Sequence, residues 1–345
     1  MTEYPEEISN EKQLEMLLSR PTKATVDMFK EMDGDIIFLG IAGKIGPSLA
    51  HMAIRACDMA GVSKRIIGVS RFSNQEEQAY IEGLGVETIK GDLLDETFLE
   101  SLPRVKNVFF LAGMKFGSED NLSLTWAMNS YLPGLVAKHF KDSRIVAYST
   151  GCVYPLVPIG SGGSKENDRP EAIGEYAQSC LGRERMFEYG STAHNTPVAL
   201  IRLNYAVEPR YGVLVDIATK VKENLPVDLS MGYFNVIWQG DANNMVLRSL
   251  EQTSIPANII NITGKETLSV RGVVGEFAKV FGVDPLLEGK EANTALLSNP
   301  DKSHELFGDP EVPVDKVIQW TAHWVANNKK TLGKPTHFEV RDGKY

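Results

Sequence analysis

Two kinds of hydroxyl in this sequence are spaced to handle the proton of an alcohol. Ser149-Thr150 ends a run with strand character, and Tyr176 lies early in the helical run that follows a Gly- and Pro-rich loop. A hydroxyl at a strand end facing a phenol on the next helix can hydrogen-bond a carbonyl or alcohol oxygen. The phenol then gives or takes the proton as a hydride moves. A carrier for the hydride is suggested further upstream. Asp35-Ile36-Ile37-Phe38-Leu39-Gly40-Ile41-Ala42-Gly43-Lys44-Ile45-Gly46 places four apolar residues, then glycines at spacing three and three, before a helical run. Gly40 allows a tight turn, Gly43 leaves the backbone bare for a pyrophosphate, and Gly46 lets the helix pack closely. Lys44 and Ile45 complete the turn, and the unpaired N–H groups at the helix start favour an anion.

Other strand ends extend this dinucleotide reading. Gly68-Val69-Ser70-Arg71 holds a serine and an arginine where an NAD binder usually puts an acid for the ribose hydroxyls. The planar fork of Arg71 suits a 2′-phosphate, so NADP is favoured and NAD remains possible. After the third strand, Gly91-Asp92-Leu93 offers a carboxylate for an adenine amino group. After the fourth, Leu111-Ala112-Gly113-Met114-Lys115 offers small residues for a cofactor to lie against and a lysine that can reach phosphate or ribose.

The elements that must position these residues alternate along the chain. Strands read over 35–40, 65–69, 86–90, 107–111, 144–149 and 197–203, and helices over 46–60, 74–83, about 123–140 and about 171–189. Strands separated by helices of this length imply right-handed crossovers and a parallel sheet, a Rossmann-type doubly wound α/β fold with ligands at the carboxyl ends of the strands. Residues 1–33 read as an N-terminal extension of two short helices, capped by Ser9-Asn10 and led by Thr22. Residues 34–207 read as the nucleotide-binding domain. Residues 208–345 read as a smaller, mainly substrate-binding lobe, in which 241–262, a helix and a strand, could return to the main sheet. Asp241 reads as an N-cap and the tail from Gly333 to Tyr345 as an ordered surface arm.

Composition narrows the partners. The chain has 345 residues and a net charge of −9, without a Lys/Arg cluster, which argues against nucleic acid. No apolar run is long enough for a membrane span, and the acidic start is unlike a signal peptide, so a cytoplasmic protein is expected. Cys57, Cys152 and Cys180 form neither a disulfide framework nor a zinc site, and no metal is expected.

Read together, the glycine triplet, Gly91-Asp92-Leu93, Leu111 to Lys115, Asn129, Ser149 to Tyr154, Tyr176, Arg202-Leu203-Asn204 and Glu266 to Arg271 resemble the extended short-chain dehydrogenases/reductases. Within these, the likeness is to the NAD-dependent epimerase/dehydratase family that includes the UDP-glucose 4-epimerases. It covers nearly everything after residue 34. The resemblance implies that Thr150 and Tyr176 orient and protonate a substrate oxygen, that Asn129 and Asn204 lie at the cofactor, and that Tyr205 and Arg210 sit where substrate is held. It also implies a sugar-like substrate and a homodimer.

The sequence departs from the family at one position. The family helix reads Tyr-x-x-x-Lys, and this one reads Tyr176-x-x-x-Cys180. The family lysine binds the nicotinamide ribose and lowers the phenol pKa, each unit being worth about 1.4 kcal/mol. Lys115 at the sheet edge and Arg183 two helical turns beyond Tyr176 are the available substitutes, with Lys115 preferred. Cys180 itself is the other catalytic candidate. Three activities follow from the resemblance and this departure: an NAD(P)-dependent oxidoreductase or epimerase acting at a carbinol or ketone carbon of a sugar, sugar acid or nucleotide sugar; a non-catalytic NAD(P)-binding sensor or scaffold; or a dehydratase/lyase with transient oxidation.

Overall fold

The structure, a computed structural model, describes residues 4–115 and 120–344, so Tyr345 at the end of the tail lies outside the described residues. Seven strands form one parallel sheet: β1 (Ile36–Leu39), β2 (Ile66–Ser70), β3 (Glu87–Lys90), β4 (Asn107–Phe110), β5 (Arg144–Thr150), β6 (Val198–Leu203) and β7 (Asn258–Ile262). Their order is β7-β6-β5-β4-β1-β2-β3. All four residues of β1 and of β4 are buried, as befits strands covered on both faces. Ile36 is in register with Ile66 on one side and Asn107 on the other. The order reverses between β1 and β4, and the crevice at a reversal is where such sheets bind ligands.

Helices fill both faces. In the extension, α1 (Glu11–Leu18) is capped by Asn10 and α2 (Lys23–Glu31) by Thr22. Next come α3 (Gly46–Ala60), α4 (Gln75–Gly83) and α5 (Glu96–Ser101). The long helix expected over 123–140 is interrupted. It is α-helical over Leu122–Trp126 and Leu132–His139, with a π-helical turn at Ala127–Tyr131, and is taken together as α6. α7 (Gly174–His194) carries Tyr176 and starts later than the sequence pattern suggests, at Gly174 with φ +80°.

The remaining helices are α8 (Val213–Lys222), α9 (Gln239–Arg248), α10 (Val270–Phe281), α11 (Asp301–Phe307) and α12 (Val314–Ala326). α8, α10 and α12 close a separate core around Phe234, Trp320 and Trp324, and this core also takes Leu14 and Leu18 of α1. Burying each such side chain contributes roughly 1.5–3 kcal/mol. The strand at 258–262 pairs with β6, so the second half of the chain does return to the main sheet.

The extension grips both parts of the body. The Asn244 side chain accepts from Thr22 N and donates to Arg20 O, and Arg55 of α3 donates to Met16 O. Asp241 is not an N-cap. It lies inside α9, whose start has no side-chain cap, and its carboxylate accepts from Val312 N at 3.0 Å.

Candidate active site

The turn after β1 gives its three glycines three different surroundings. Gly40 has φ +89°, and a Cβ there would lie 2.6 Å from Ala112 N. A Cβ on Gly46 would lie 2.0 Å from Ile41 O, so α3 packs on the turn only because that residue has no side chain. At Gly43 a Cβ would meet nothing closer than Gly40 O at 3.5 Å. Protein contacts therefore do not demand glycine at 43, whereas a ligand lying on the turn would. The first turn of α3 has no side-chain cap, which leaves its N–H groups for an anion. The open cradle and the uncapped helix start fit the pyrophosphate of a dinucleotide.

One cavity of about 280 Å³ adjoins this turn. Gly43, Lys44, Ile45 and Gly46 form one wall, and Leu111, Gly113 and Lys115 continue it along the sheet edge. Thr150 and Tyr176 lie inside, and Asn204, Tyr205 and Thr336 close the far side. Ala112 stands behind the wall against Gly40. Ser70 and Arg71 end β2, and Asp92 and Leu93 follow β3, outside the cavity along the same sheet edge. Arg71 is exposed, and no hydrogen bond or ion pair engages it among the described residues. Asp92 accepts from Leu94 N and shapes its own turn, while Leu93 is buried beneath it.

The two hydroxyls are brought together. Tyr176 and Thr150 both line the cavity, and the Thr150 hydroxyl and the Cys180 thiol are near enough to the phenol to act on it. Thr150 Oγ1 in addition accepts from Cys152 N at 3.1 Å, which fixes its rotamer at the end of β5. Burial pushes the Tyr176 phenol well above its usual range, and the neighbouring thiols of Cys180 and Cys152 push the same way. Arg183 and the Thr150 hydroxyl oppose them.

The cation acting on the phenol is thus Arg183, whose guanidinium lines the cavity. It is fixed there because it donates to Tyr148 O at 2.8 Å and to Asn129 Oδ1 at 2.7 Å. Lys115 Nζ lies 5.8 Å from the Tyr176 ring centroid and donates to Thr336 O at 3.3 Å. It bridges to the C-terminal arm. Cys180 is fully buried and burial pushes its thiol up to about 11, so at neutral pH it is a protonated, inert group and not a nucleophile.

Asn129 stands behind the cavity wall. It is fully buried, and its amide pairs with both Met114 N and Met114 O, so it holds the peptide of the sheet edge instead of reaching a ligand. The π-helical turn carries it there, a device frequent at functional sites. Arg210 does not enter the cavity. It is paired with Glu15 at 2.7 Å and with Glu208 at 3.1 Å, and so ties the extension to the lobe instead of awaiting substrate. Tyr205 lines the cavity in a left-handed backbone conformation at φ +46°, a strained geometry that concentrates at functional sites.

Beneath the site lies a buried ion pair. Arg202 and Glu184 are 2.7 Å apart, with side chains 1% and 0% exposed, and Ser149, next to Thr150, donates to Glu184 Oε1 at 2.5 Å. Arg202 also donates to Tyr154 Oη, which donates to Asn261 of β7. Arg202→Leu would strand the Glu184 carboxylate in the core and is expected to cost about 3–5 kcal/mol of stability. A urea unfolding midpoint checks this, and a loss under 1 kcal/mol would contradict it.

Three solved structures show the same architecture. The UDP-glucuronic acid 4-epimerase of Bacillus cereus in complex with UDP-glucuronic acid and NAD is 17% identical, with 85% of this chain and 99% of that one covered at TM-score 0.70. The UDP-glucose 4-epimerase of Thermotoga maritima with UDP-glucose gives the same figures. DesIV, a dTDP-glucose 4,6-dehydratase from Streptomyces venezuelae with NAD bound, is 18% identical over 85% and 97% at TM-score 0.72. The chain shares the fold of these three enzymes. No protein-family model and no curated protein matches the sequence.

Within this fold, the sequence alone did not disclose one contributor to the site or the contacts of two others. Thr336 reaches the cavity from the C-terminal arm, 221 positions from Lys115, and no local pattern marks it. The Lys44 side chain leaves the glycine turn to donate to Ala206 O at 3.2 Å and to lie 3.8 Å from the Tyr211 ring centroid. Arg183 is spaced on the Tyr176 face of α7, which was a usable signal, but its pairing with Asn129 was not.

Proposed function

We propose that the protein is an NAD(P)-dependent oxidoreductase or epimerase acting at a carbinol or ketone carbon of a sugar or sugar derivative. The observation that carries this reading is that Thr150 and Tyr176 line one cavity together, beside the open glycine cradle. The turn 40–46 and the start of α3 would hold the pyrophosphate, Ser70 and Arg71 the adenosine ribose, and Asp92 the adenine. Once bound, the dinucleotide supplies a hydride acceptor and donor at the nicotinamide. The protein's part is the proton. Thr150 orients the substrate oxygen, Tyr176 Oη takes its proton in oxidation and returns it in reduction, and Arg183 stabilises the phenolate form. The sugar nucleotides bound by the epimerases of the same fold support the substrate class.

NADP is the proposed preference. Arg71, exposed and uncommitted among the described residues, has the fork for a 2′-phosphate. The neighbours crystallised with NAD do not carry that preference over. Arg71→Ala is expected to weaken NADPH binding by about tenfold or more, the usual size of a lost charge-assisted hydrogen bond, while NADH binding changes little. Fluorescence titration with both reduced dinucleotides checks it; equal losses for the two would refute a 2′-phosphate contact.

We further propose a homodimer through α6 and α7. Leu122, Trp126, Tyr131 and Tyr189 on these helices are 44%, 38%, 52% and 67% exposed, an apolar face that a second copy would cover. A cytoplasmic location is proposed with it. Among the described residues no helix is long and apolar enough to cross a membrane.

A further inference from the structure

The chain's own C-terminal arm roofs the cavity. Thr336 N and Oγ1 donate to Asp216 of α8 at 2.8 and 2.5 Å, while Thr336 O accepts from Lys115. Phe338, 1% exposed, anchors the arm in the lobe core against Phe234. Beyond it, Arg341 donates to Ser230 O and to Thr294 O and Oγ1. The arm ends against α7, where a Cβ on Gly174 would lie 2.3 Å from Gly343 O. On its far side is a separate hollow of about 240 Å³, so the arm and Tyr211 form a partition between two spaces. The central cavity, at about 280 Å³, is at the small end of the roughly 300–1,000 Å³ of ligand pockets, and a bound dinucleotide would take part of it.

The charge inside is one-sided. Lys44, Lys115 and Arg183 line the cavity, and no carboxylate does among the described residues, in a chain whose net charge is −9. Lys44 donates to a neutral carbonyl and faces a neutral ring, and no ion pair engages it among the described residues. Burial pushes its ammonium down to about 7; Glu208 and Asp216 act to raise it, and Arg210 and Lys115 to lower it. An anion placed against Lys44 would restore its charge.

We infer that the central cavity takes a small, free acid, a sugar acid or comparable polyhydroxy acid, whose carboxylate is held by Lys44 near Lys115 beneath Thr336, and not a nucleotide-linked sugar. The inference rests on the function proposed above and narrows its substrate. A nucleotide attached to the sugar would have to displace an arm that is bonded along its length and buried at Phe338. Arg183 is committed to Asn129 and Tyr148 and Lys115 to Thr336, whereas Lys44 donates only to the Ala206 carbonyl and can turn to a ligand.

Isothermal titration of the dinucleotide-saturated protein with D-gluconate, D-glucuronate, D-glucose and UDP-glucuronate tests it. At least one free acid is expected to bind about tenfold or more tighter than both D-glucose and UDP-glucuronate, the margin of a charge-assisted contact. Lys44→Met should remove that margin without lowering the melting temperature, and Lys44→Arg should keep most of it. Tighter binding of UDP-glucuronate, equal binding of acid and neutral sugar, no binding of either acid, or an unaltered Lys44→Met variant would each overturn the inference. Absence of dinucleotide binding in the wild type would instead overturn the function on which it rests.

Discussion

Tyr176→Phe is expected to abolish turnover while leaving dinucleotide affinity nearly intact. In the proposed reaction the phenol oxygen exchanges a proton with the substrate, and it lines the cavity together with Thr150. Positioned proton transfer contributes about 10²–10⁴-fold, and phenylalanine keeps the ring, the helix and the cavity wall while deleting only that oxygen. Loss of one hydrogen bond should cost about 1 kcal/mol of stability, too little to unfold the protein. Steady-state rates beside a dinucleotide titration check the prediction, and undiminished turnover would remove Tyr176 from the chemistry.

The same phenol sets a pH dependence. Burial raises its pKa, so at neutral pH it is protonated and ready as an acid, which suits reduction. Oxidation needs the phenolate. Its population grows about tenfold per pH unit below the pKa, so oxidative rates should climb through neutral and alkaline pH while reductive rates stay level over the same range. Arg183 favours the phenolate from a fixed position on α7, as a lysine four residues after Tyr176 would. The thiol at 180 does not, because it is buried and protonated.

Much of the architecture was legible from local pattern. Ile36-Ile37-Phe38-Leu39 can only be a strand buried on both faces, and the glycines after it map onto a turn, an open cradle and a tight helix contact. Thr150 and Tyr176 could be paired before any coordinates because one ends a strand and the other opens the next helix. What local pattern could not carry was the choice among partners far apart in sequence. Arg210 has the chemistry of a substrate anchor, yet its carboxylates are Glu15, 195 positions away, and Glu208. Asp241 has the residue type of an N-cap, but tertiary burial turned it to the 312 peptide instead. The tail reads as a surface arm because its polarity is mixed. Only the fold reveals that Phe338 is buried and that Thr336 lines the cavity. The helical period of α6 likewise hides the extra residue per turn at 127–131, which brings Asn129 to the 114 peptide.

The proposed chemistry depends on a dinucleotide lying across the first crossover, and Gly43 exposes that dependence. A Cβ at this position would meet no protein atom closer than 3.5 Å, and the backbone has no positive φ to strain, so Gly43→Val should fold and melt as the wild type does. The valine would stand where the pyrophosphate is to lie, between the turn and the uncapped start of α3. The direct measurement is therefore a titration of wild-type and Gly43→Val protein with NADPH and NADH, read by nucleotide fluorescence. Binding to the wild type and no measurable binding to a folded Gly43→Val variant is the expected result, and equal affinity in the two proteins would contradict the placement of the cofactor and the chemistry built on it.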